Sequence, residues 1–184
     1  YPMREFRGRR YGMKSDSFEP FLELPARVGP VLELAIGSAS APRMLLRSKG
    51  WSVCDPRQPT RDPWTYRGYI EASKAEFSVA KHGYVVTRSG WFSDRSAAYL
   101  ATGRPVLLQE TGFSDWLESG RGVVPFRTLE EAAEGVEEIQ QRYELHARAA
   151  REVAESYFDA RRVLTSLVEA ALEPPHSGVG RQAP

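Results

Sequence analysis

Short apolar stretches alternate with amphipathic ones along most of the chain, and this alternation predicts strands separated by helices. The apolar stretches are bounded by glycine or proline, as buried strands commonly are. They are predicted as strands over 31–37, 51–56, 104–109 and 122–126. Short helices are predicted between them over 42–50, 66–74, 93–103 and 113–120. The segment 75–90 is predicted to contain a strand pair, or a strand with a preceding edge, broken at Gly83.

Helix signals are clearest in the last third of the chain. Thr128-Leu-Glu-Glu131 is a capping box, which marks a helix start. Apolar positions then follow a helical period as far as Tyr157, with a break predicted near Gln140. A last helix is predicted over 160–172 with Asp159 as its N-cap, and the proline-rich tail 173–184 is expected to be disordered.

Strands that alternate with helices imply a parallel sheet covered by helices on both faces. We therefore predict a Rossmann-like α/β domain over 30–172, closed by two or three C-terminal helices. Residues 1–29 are interpreted as an N-terminal arm or linker that begins with a basic run.

Composition excludes several classes of protein and favours a single globular domain. A length of 184 residues, with 41% hydrophobic and 27% charged residues, is typical of one globular domain. The single cysteine excludes a disulfide framework and a cysteine-based zinc site. A net charge of +1 gives no reason to expect nucleic acid, and no apolar run reaches membrane-spanning length. We expect a cytoplasmic location, and the abundance of arginine over lysine together with the lack of asparagine indicates a GC-rich bacterial genome.

Two loops carry the candidate chemistry. The first, 88–96, is predicted to join a strand to a helix that begins near Ser93, where free N–H groups and the helix dipole attract phosphate. The second, 109–113, follows the next strand and is expected to lie beside the first. Phosphate or donor binding is predicted for polar, charged and glycine residues of both loops: Arg88, Gly90, Ser93, Asp94, Arg95, Ser96, Glu110, Thr111 and Gly112.

The segment SGWFSDRSAAYLATGRPVLLQETGFSDWL, followed by GVVPFRTLEEA, resembles the C-terminal domain of bacterial GT-B glycosyltransferases. The turn Ala101-Thr-Gly-Arg-Pro-Val106 carries much of this likeness, and the helical end of the chain is similar to the closing helices of these enzymes. The resemblance covers roughly residues 30–172. It implies that the chain is the donor-binding half, which holds a nucleotide-diphosphate sugar as substrate and needs no cofactor.

The resemblance also implies an N-terminal acceptor domain outside these residues, so this chain alone is not expected to complete transfer. Two glutamates that retaining members use for sugar and ribose hydroxyls fall at Gly90 and Ala98, and Asp94 is the nearest replacement. A non-catalytic interaction or scaffold module therefore stays open as an alternative, as does a nucleotide-binding regulator. The sugar, nucleotide base and acceptor are left open.

Other catalytic templates are missing from the sequence. There is no G-x-G-x-x-G after the first strand of the domain, no Walker A motif and no G-x-S-x-G elbow. The chain has no Asp-x-Asp pair, and its three histidines lack ligand spacing. Both absences agree with a metal-independent transferase, which is what the resemblance implies.

Overall fold

The computed structural model of the protein describes residues 3–172. Its strands form two parallel β-sheets and an N-terminal hairpin. Strands β1 and β2 are antiparallel, β3 pairs with β4 in parallel, and β5, β6 and β7 form a parallel sheet in that order. The strands are β1 (Arg4–Phe6), β2 (Arg9–Tyr11), β3 (Glu33–Ala35), β4 (Ser52–Cys54), β5 (Glu76–Ser78), β6 (Val106–Gln109) and β7 (Val123–Phe126). The chain is thus a mixed α/β protein with open parallel sheets. The predicted tail 173–184 lies outside the described residues.

Helices connect the strands and follow the last one. They are α1 (Lys14–Phe18), α2 (Leu24–Val28), α3 (Arg43–Ser48), α4 (Pro63–Ala72), α5 (His82–Thr87), α6 (Asp94–Ala101), α7 (Leu129–Gln141), α8 (Tyr143–Tyr157) and α9 (Ala160–Leu172). Two short 3₁₀ helices cover Glu19–Phe21 and Phe113–Asp115. Between residues 3 and 172, no helix is both long enough and apolar enough to cross a membrane.

Strand β6 is buried on both faces, which agrees with the apolar run Val106-Leu-Leu108 at its start. Its residue Leu107 packs in one apolar cluster with Ala132 and Val136 of α7. Its neighbours Val106 and Leu108 pack in a second cluster with residues of α6 and α8. Because successive side chains of a strand point to opposite faces, α7 covers one face of this strand and α6 and α8 cover the other.

Most predicted elements lie where the sequence indicates. The capping box at Thr128 is confirmed, since its hydroxyl accepts a hydrogen bond from the Glu131 N–H and the Glu131 carboxylate accepts one from the Thr128 N–H. The predicted break falls at Arg142, between α7 and α8. The short helix predicted over 113–120 is only the 3₁₀ helix Phe113–Asp115.

The prediction of a strand pair over 75–90 is wrong in its second half, where α5 replaces the second strand. Its sequence, HGYVVT, is rich in the β-branched and aromatic residues that favour strands. Tertiary packing overrides this preference. The Gly12 N–H donates to Nδ1 of His82 (3.2 Å), and Gly83 approaches the Tyr11 ring. The loop 88–96 therefore joins α5 to α6 and does not follow a strand directly.

The N-terminal segment contributes to the core, although its sequence predicts an arm or linker over residues 1–29. Phe21 and Leu24 are almost completely buried in the same cluster as Leu107. Nε1 of Trp51 also donates a hydrogen bond to the carbonyl of Leu22 (2.9 Å). Residues 18–28 thus pack as part of the domain.

Candidate functional site

The two predicted loops lie side by side. The N–H of Gly90 donates to the carbonyl of Thr111 (2.8 Å), and the Thr111 hydroxyl donates to the carbonyl of Trp91 (2.6 Å). Gly112 has φ +95°, and a Cβ atom there would lie 2.9 Å from the carbonyl oxygen of Arg88. Only glycine allows this approach of the two backbones. We call residues 88–96 and 109–113 the joined loops.

Glu110 is buried and stabilises its own turn. One carboxylate oxygen accepts a hydrogen bond from the Gly112 N–H, and the other accepts one from the Ser114 hydroxyl (2.6 Å). Nη2 of Arg127 lies 3.6 Å from the second oxygen. Thr111 is also buried, so both polar side chains predicted in the second loop hold the backbone in place.

Ser93 caps α6 as predicted, because its hydroxyl accepts a hydrogen bond from the Arg95 N–H (3.3 Å). Oδ1 of the exposed Asp94 accepts from the same N–H (2.9 Å). The hydroxyl of Ser96 is completely buried and has no partner among the described residues. Of these three polar side chains, Asp94 is thus the one at the surface of the helix start.

Arg88 provides an accessible cation at the joined loops. Its Nη2 donates to both carboxylate oxygens of Asp115 (3.0 and 3.1 Å), and both side chains are more than half exposed. Such an exposed pair contributes little to stability. An anionic ligand could therefore replace Asp115 at little energetic cost.

The position of Arg95 in the first turn of α6 predicts an exposed side chain, and the structure differs. Arg95 is half-buried and turned toward β5, where its Nε donates to Oε1 of Glu76 (2.6 Å) and its Nη2 to the Ser78 hydroxyl (2.7 Å). Burial by itself would lower the pKa of the guanidinium, but the adjacent Glu76 carboxylate outweighs it and raises that pKa. The cation at this helix start already has an anionic partner within the protein.

Lys14 of α1 completes this group of side chains. Its Nζ lies 3.4 Å from the Ser78 hydroxyl. The residue as a whole is exposed, yet its ammonium lies against the protein, and this desolvation together with the charge of Arg95 lowers the pKa of Lys14 to about 8. We call Lys14, Glu76, Ser78 and Arg95 the inner cluster.

Sequence reasoning did not find three of the four inner-cluster residues. A glutamate at the start of a buried strand was an available signal, because ionised side chains are rarely buried without a partner. Nothing local connects Lys14 with Ser78, since α1 and β5 are distant in sequence and meet only in the folded chain.

A cavity of about 1350 Å³ lies beside the inner cluster, between the two parallel sheets. Residues of both β3 and β5 line it. Neither strand has a hydrogen-bonded partner along this edge within the described part of the chain. The cavity therefore occupies the gap between two sheet edges, and all four inner-cluster residues line it.

Gly90 and Ala98, where the resemblance places two glutamates, supply no carboxylate. Gly90 carries no side chain, and Ala98 packs partly buried against the second apolar cluster. Residues 3–172 contain no group of three histidine, cysteine, aspartate or glutamate side chains placed to share a metal ion. Neither a protein-family model, a curated protein nor a solved structure matches this chain.

Proposed function

We propose that this chain is the Rossmann-like, donor-binding half of a metal-independent GT-B glycosyltransferase. In this proposal the joined loops hold the diphosphate of a nucleotide-diphosphate sugar. The resemblance of residues 30–172 to such domains motivates it. The observation that carries it is the close contact of the two loops at the carboxyl end of β6, because ligands of open parallel sheets bind outside the carboxyl ends of the strands.

Arg88 is the residue that we expect to neutralise the diphosphate. Its only ionic partner among the described residues, Asp115, is exposed and replaceable. Backbone N–H groups at the start of α6 would add hydrogen bonds to the phosphate oxygens. Arg95 stays paired with Glu76 in this proposal, so its charge is largely offset and its contribution to diphosphate binding is small.

The test is a thermal-shift measurement with UDP, GDP, ADP and TDP. A bound nucleotide at ~100 times its Kd adds roughly 2.7 kcal/mol to the free energy of unfolding, so the melting temperature should rise, and EDTA should not abolish the rise. The Arg88→Ala variant should lose about 10- to 100-fold in affinity with an unchanged melting temperature of the free protein. No shift with any of the four nucleotides would contradict the proposal.

Arg67→Ala is the matched control for Arg88→Ala. Arg67 is also an exposed arginine paired with a carboxylate, that of Glu71 (2.7 Å), but it lies on α4 away from the joined loops. Its removal should leave nucleotide affinity unchanged. An equal loss in both variants would mean that Arg88 acts only through the general charge of the protein.

The non-catalytic module is the second candidate, and the lack of a carboxylate at Gly90 and Ala98 favours it. A module that no longer binds a donor would show no shift with nucleotides. A nucleotide-binding regulator would bind the nucleoside diphosphate as tightly as the corresponding nucleotide sugar. Titration of each nucleoside diphosphate together with its sugar conjugate thus separates the three functions.

A further inference from the structure

The inner cluster contains a buried carboxylate oxygen that lacks a hydrogen-bond donor. The Glu76 side chain is 4% exposed, and its Oε1 accepts from Arg95. Its Oε2 is buried and has no partner among the described residues. Buried carboxylate oxygens without a donor are costly, and most polar atoms in such positions are satisfied. Glu76 lines the cavity, so a modest rotation of its side chain would bring Oε2 to the cavity surface, where a ligand supplies the missing donor.

Lys14 lines the same cavity, and its ammonium group needs hydrogen-bond acceptors. An ammonium group carries three N–H donors, and the hydrogen bond that Nζ makes within the described residues is a long one to Ser78 (3.4 Å). The Lys14 ammonium therefore has donors left for a ligand. Ser78 links the two cations of the cluster, since Arg95 also donates to its hydroxyl.

A ligand in this cavity should therefore donate a hydrogen bond to Glu76 and accept one from Lys14. A phosphate or carboxylate offers only acceptors, so it cannot supply the donor that Glu76 Oε2 lacks. An amine offers only donors and would be repelled by Lys14 and Arg95. A hydroxyl group both donates and accepts, so hydroxyls can donate to Glu76 Oε2 and accept from Lys14 without adding charge.

The remainder of the cavity wall suits a ring that carries such hydroxyls. Tyr66, Tyr69 and Tyr99 line it together with apolar residues of β3. The volume of about 1350 Å³ exceeds that of ordinary small-molecule pockets, which measure ~300–1,000 Å³, so a hexose fits with room to spare.

We propose that this cavity binds an uncharged polyhydroxyl group of the size of a sugar, with Glu76 Oε2 accepting hydrogen bonds from its hydroxyls and Lys14 donating to them. The inference rests on the proposed function in one respect: it assigns the sugar of the donor to the cavity and the diphosphate to the joined loops. Arg95 connects the two regions, because its backbone lies in the loop 88–96 and its guanidinium lines the cavity.

The experiment compares each of UDP, GDP, ADP and TDP with its glucose conjugate by calorimetry, and extends to galactose and N-acetylglucosamine conjugates of the nucleotide that binds. The variants are Glu76→Gln and Lys14→Met, with Lys49→Met as the control. Lys49 is ion-paired with Glu23 and does not line the cavity. Lys14→Met is included because Glu76→Gln also removes the charged partner of Arg95 and could impair folding.

We expect both cavity variants to weaken binding of the sugar conjugate by about 10- to 100-fold, the scale of a charge-assisted hydrogen bond, with less than about a twofold change for the nucleoside diphosphate. Lys49→Met should change neither. Equal losses for conjugate and diphosphate, or no loss in Lys14→Met, would overturn the inference while leaving the proposed function in place.

Saturation-transfer NMR with free glucose, galactose and N-acetylglucosamine tests whether the cavity binds a sugar when the protein binds no nucleotide. If no nucleotide binds but a free sugar gives a signal that disappears in Lys14→Met, the cavity inference holds and the proposed function fails. If neither a nucleotide conjugate nor a free sugar binds the native chain, both are overturned.

Discussion

Arg88 and Arg95 illustrate how the partner of a side chain, more than its type, decides what it contributes. Both belong to the loop 88–96 and both bind a carboxylate. The partner of Arg88 is exposed on the surface, whereas the partner of Arg95 is a buried glutamate on β5. The first arginine is therefore available for a ligand, and the second is needed for the fold.

This contrast predicts different stabilities for two alanine variants. Arg95→Ala leaves Glu76 buried without its cation and should lower the free energy of unfolding by about 1–3 kcal/mol. This is less than the ~3–5 kcal/mol typical of fully buried pairs, because the Arg95 side chain is 40% exposed. Arg88→Ala should cost at most about 0.5 kcal/mol. Urea denaturation measures the free energy of unfolding of both variants. Equal losses of this free energy would contradict the difference in burial between the two ion pairs.

Lys14 gives the stability of the protein a dependence on alkaline pH. Its pKa is lowered from 10.5 to about 8 in the folded chain by desolvation and by Arg95, with Glu76 acting in the opposite direction. Between these values the unfolded chain binds more protons, so the free energy of unfolding contributed by this group rises from pH 8 to pH 10.5. Below pH 8 the charged lysine destabilises the folded state.

Lys14→Met should therefore be more stable than the native protein at pH 7, and the difference should vanish near pH 10.5. Denaturation of both proteins across this range measures it. Because both proteins contain the same remaining ionisable groups, the difference between their stabilities isolates the contribution of Lys14. A constant difference in stability from pH 7 to pH 10.5 would contradict the lowered pKa of Lys14.

Among the structural elements, the joined loops depend on a backbone contact that a side chain would prevent. Gly112 combines a left-handed backbone with the close approach of the Arg88 carbonyl. Neither condition is visible in the local sequence, where Glu-Thr-Gly reads as an ordinary turn. The contact exists because β6 and α6 bring the two loops to the same place.

Gly112→Ala should lower the free energy of unfolding by about 1–3 kcal/mol, since the new Cβ requires an unfavourable φ and meets a backbone oxygen. Gly68→Ala is the matched control. Gly68 lies in α4 with no atom within 4 Å of a new Cβ, so alanine should stabilise the protein by about 0.5–1 kcal/mol. Thermal unfolding of both variants checks the signs. A neutral Gly112→Ala would show that the loops can separate without cost.

Helix prediction succeeded where the signal is local and failed where it is not. The capping box at Thr128 and the helical period beyond it lie within a few residues of each other, so α7 was readable from the sequence. The helix α5 was not readable, because its strand-favouring residues become helical through contacts with Tyr11 and Gly12 of the N-terminal segment. Residue types predicted the two candidate loops. They did not predict that the Arg95 side chain turns toward Glu76.

For the molecule as a whole, burial is uneven between the central helices and the last one. Leu100 of α6 is completely buried in the second apolar cluster. On α9, by contrast, Val163, Leu164 and Leu167 are all about half exposed or more, although the helix is amphipathic. Within the described residues, this apolar face contributes little to the core.

Two leucine variants test this uneven distribution. Leu100→Ala should cost about 2–5 kcal/mol, the range for a fully buried leucine. Leu167→Ala should change the free energy of unfolding by no more than about 0.5 kcal/mol, because the side chain is 63% exposed and alanine favours helix. Chemical denaturation distinguishes the two, and a large loss in Leu167→Ala would show that α9 packs against part of the protein in solution.

Between residues 31 and 172, the sequence is sufficient to predict most of the strands and helices, the α/β class with parallel strands, and the adjacency of the two loops. These follow from apolar periodicity, caps and turn residues, which act over a few positions. Tertiary structure alone decided that α5 is a helix, that Phe21 and Leu24 enter the core, and that Lys14, Glu76 and Arg95 meet beside a cavity. The physical reason is that burial and charge pairing depend on residues far apart in the chain.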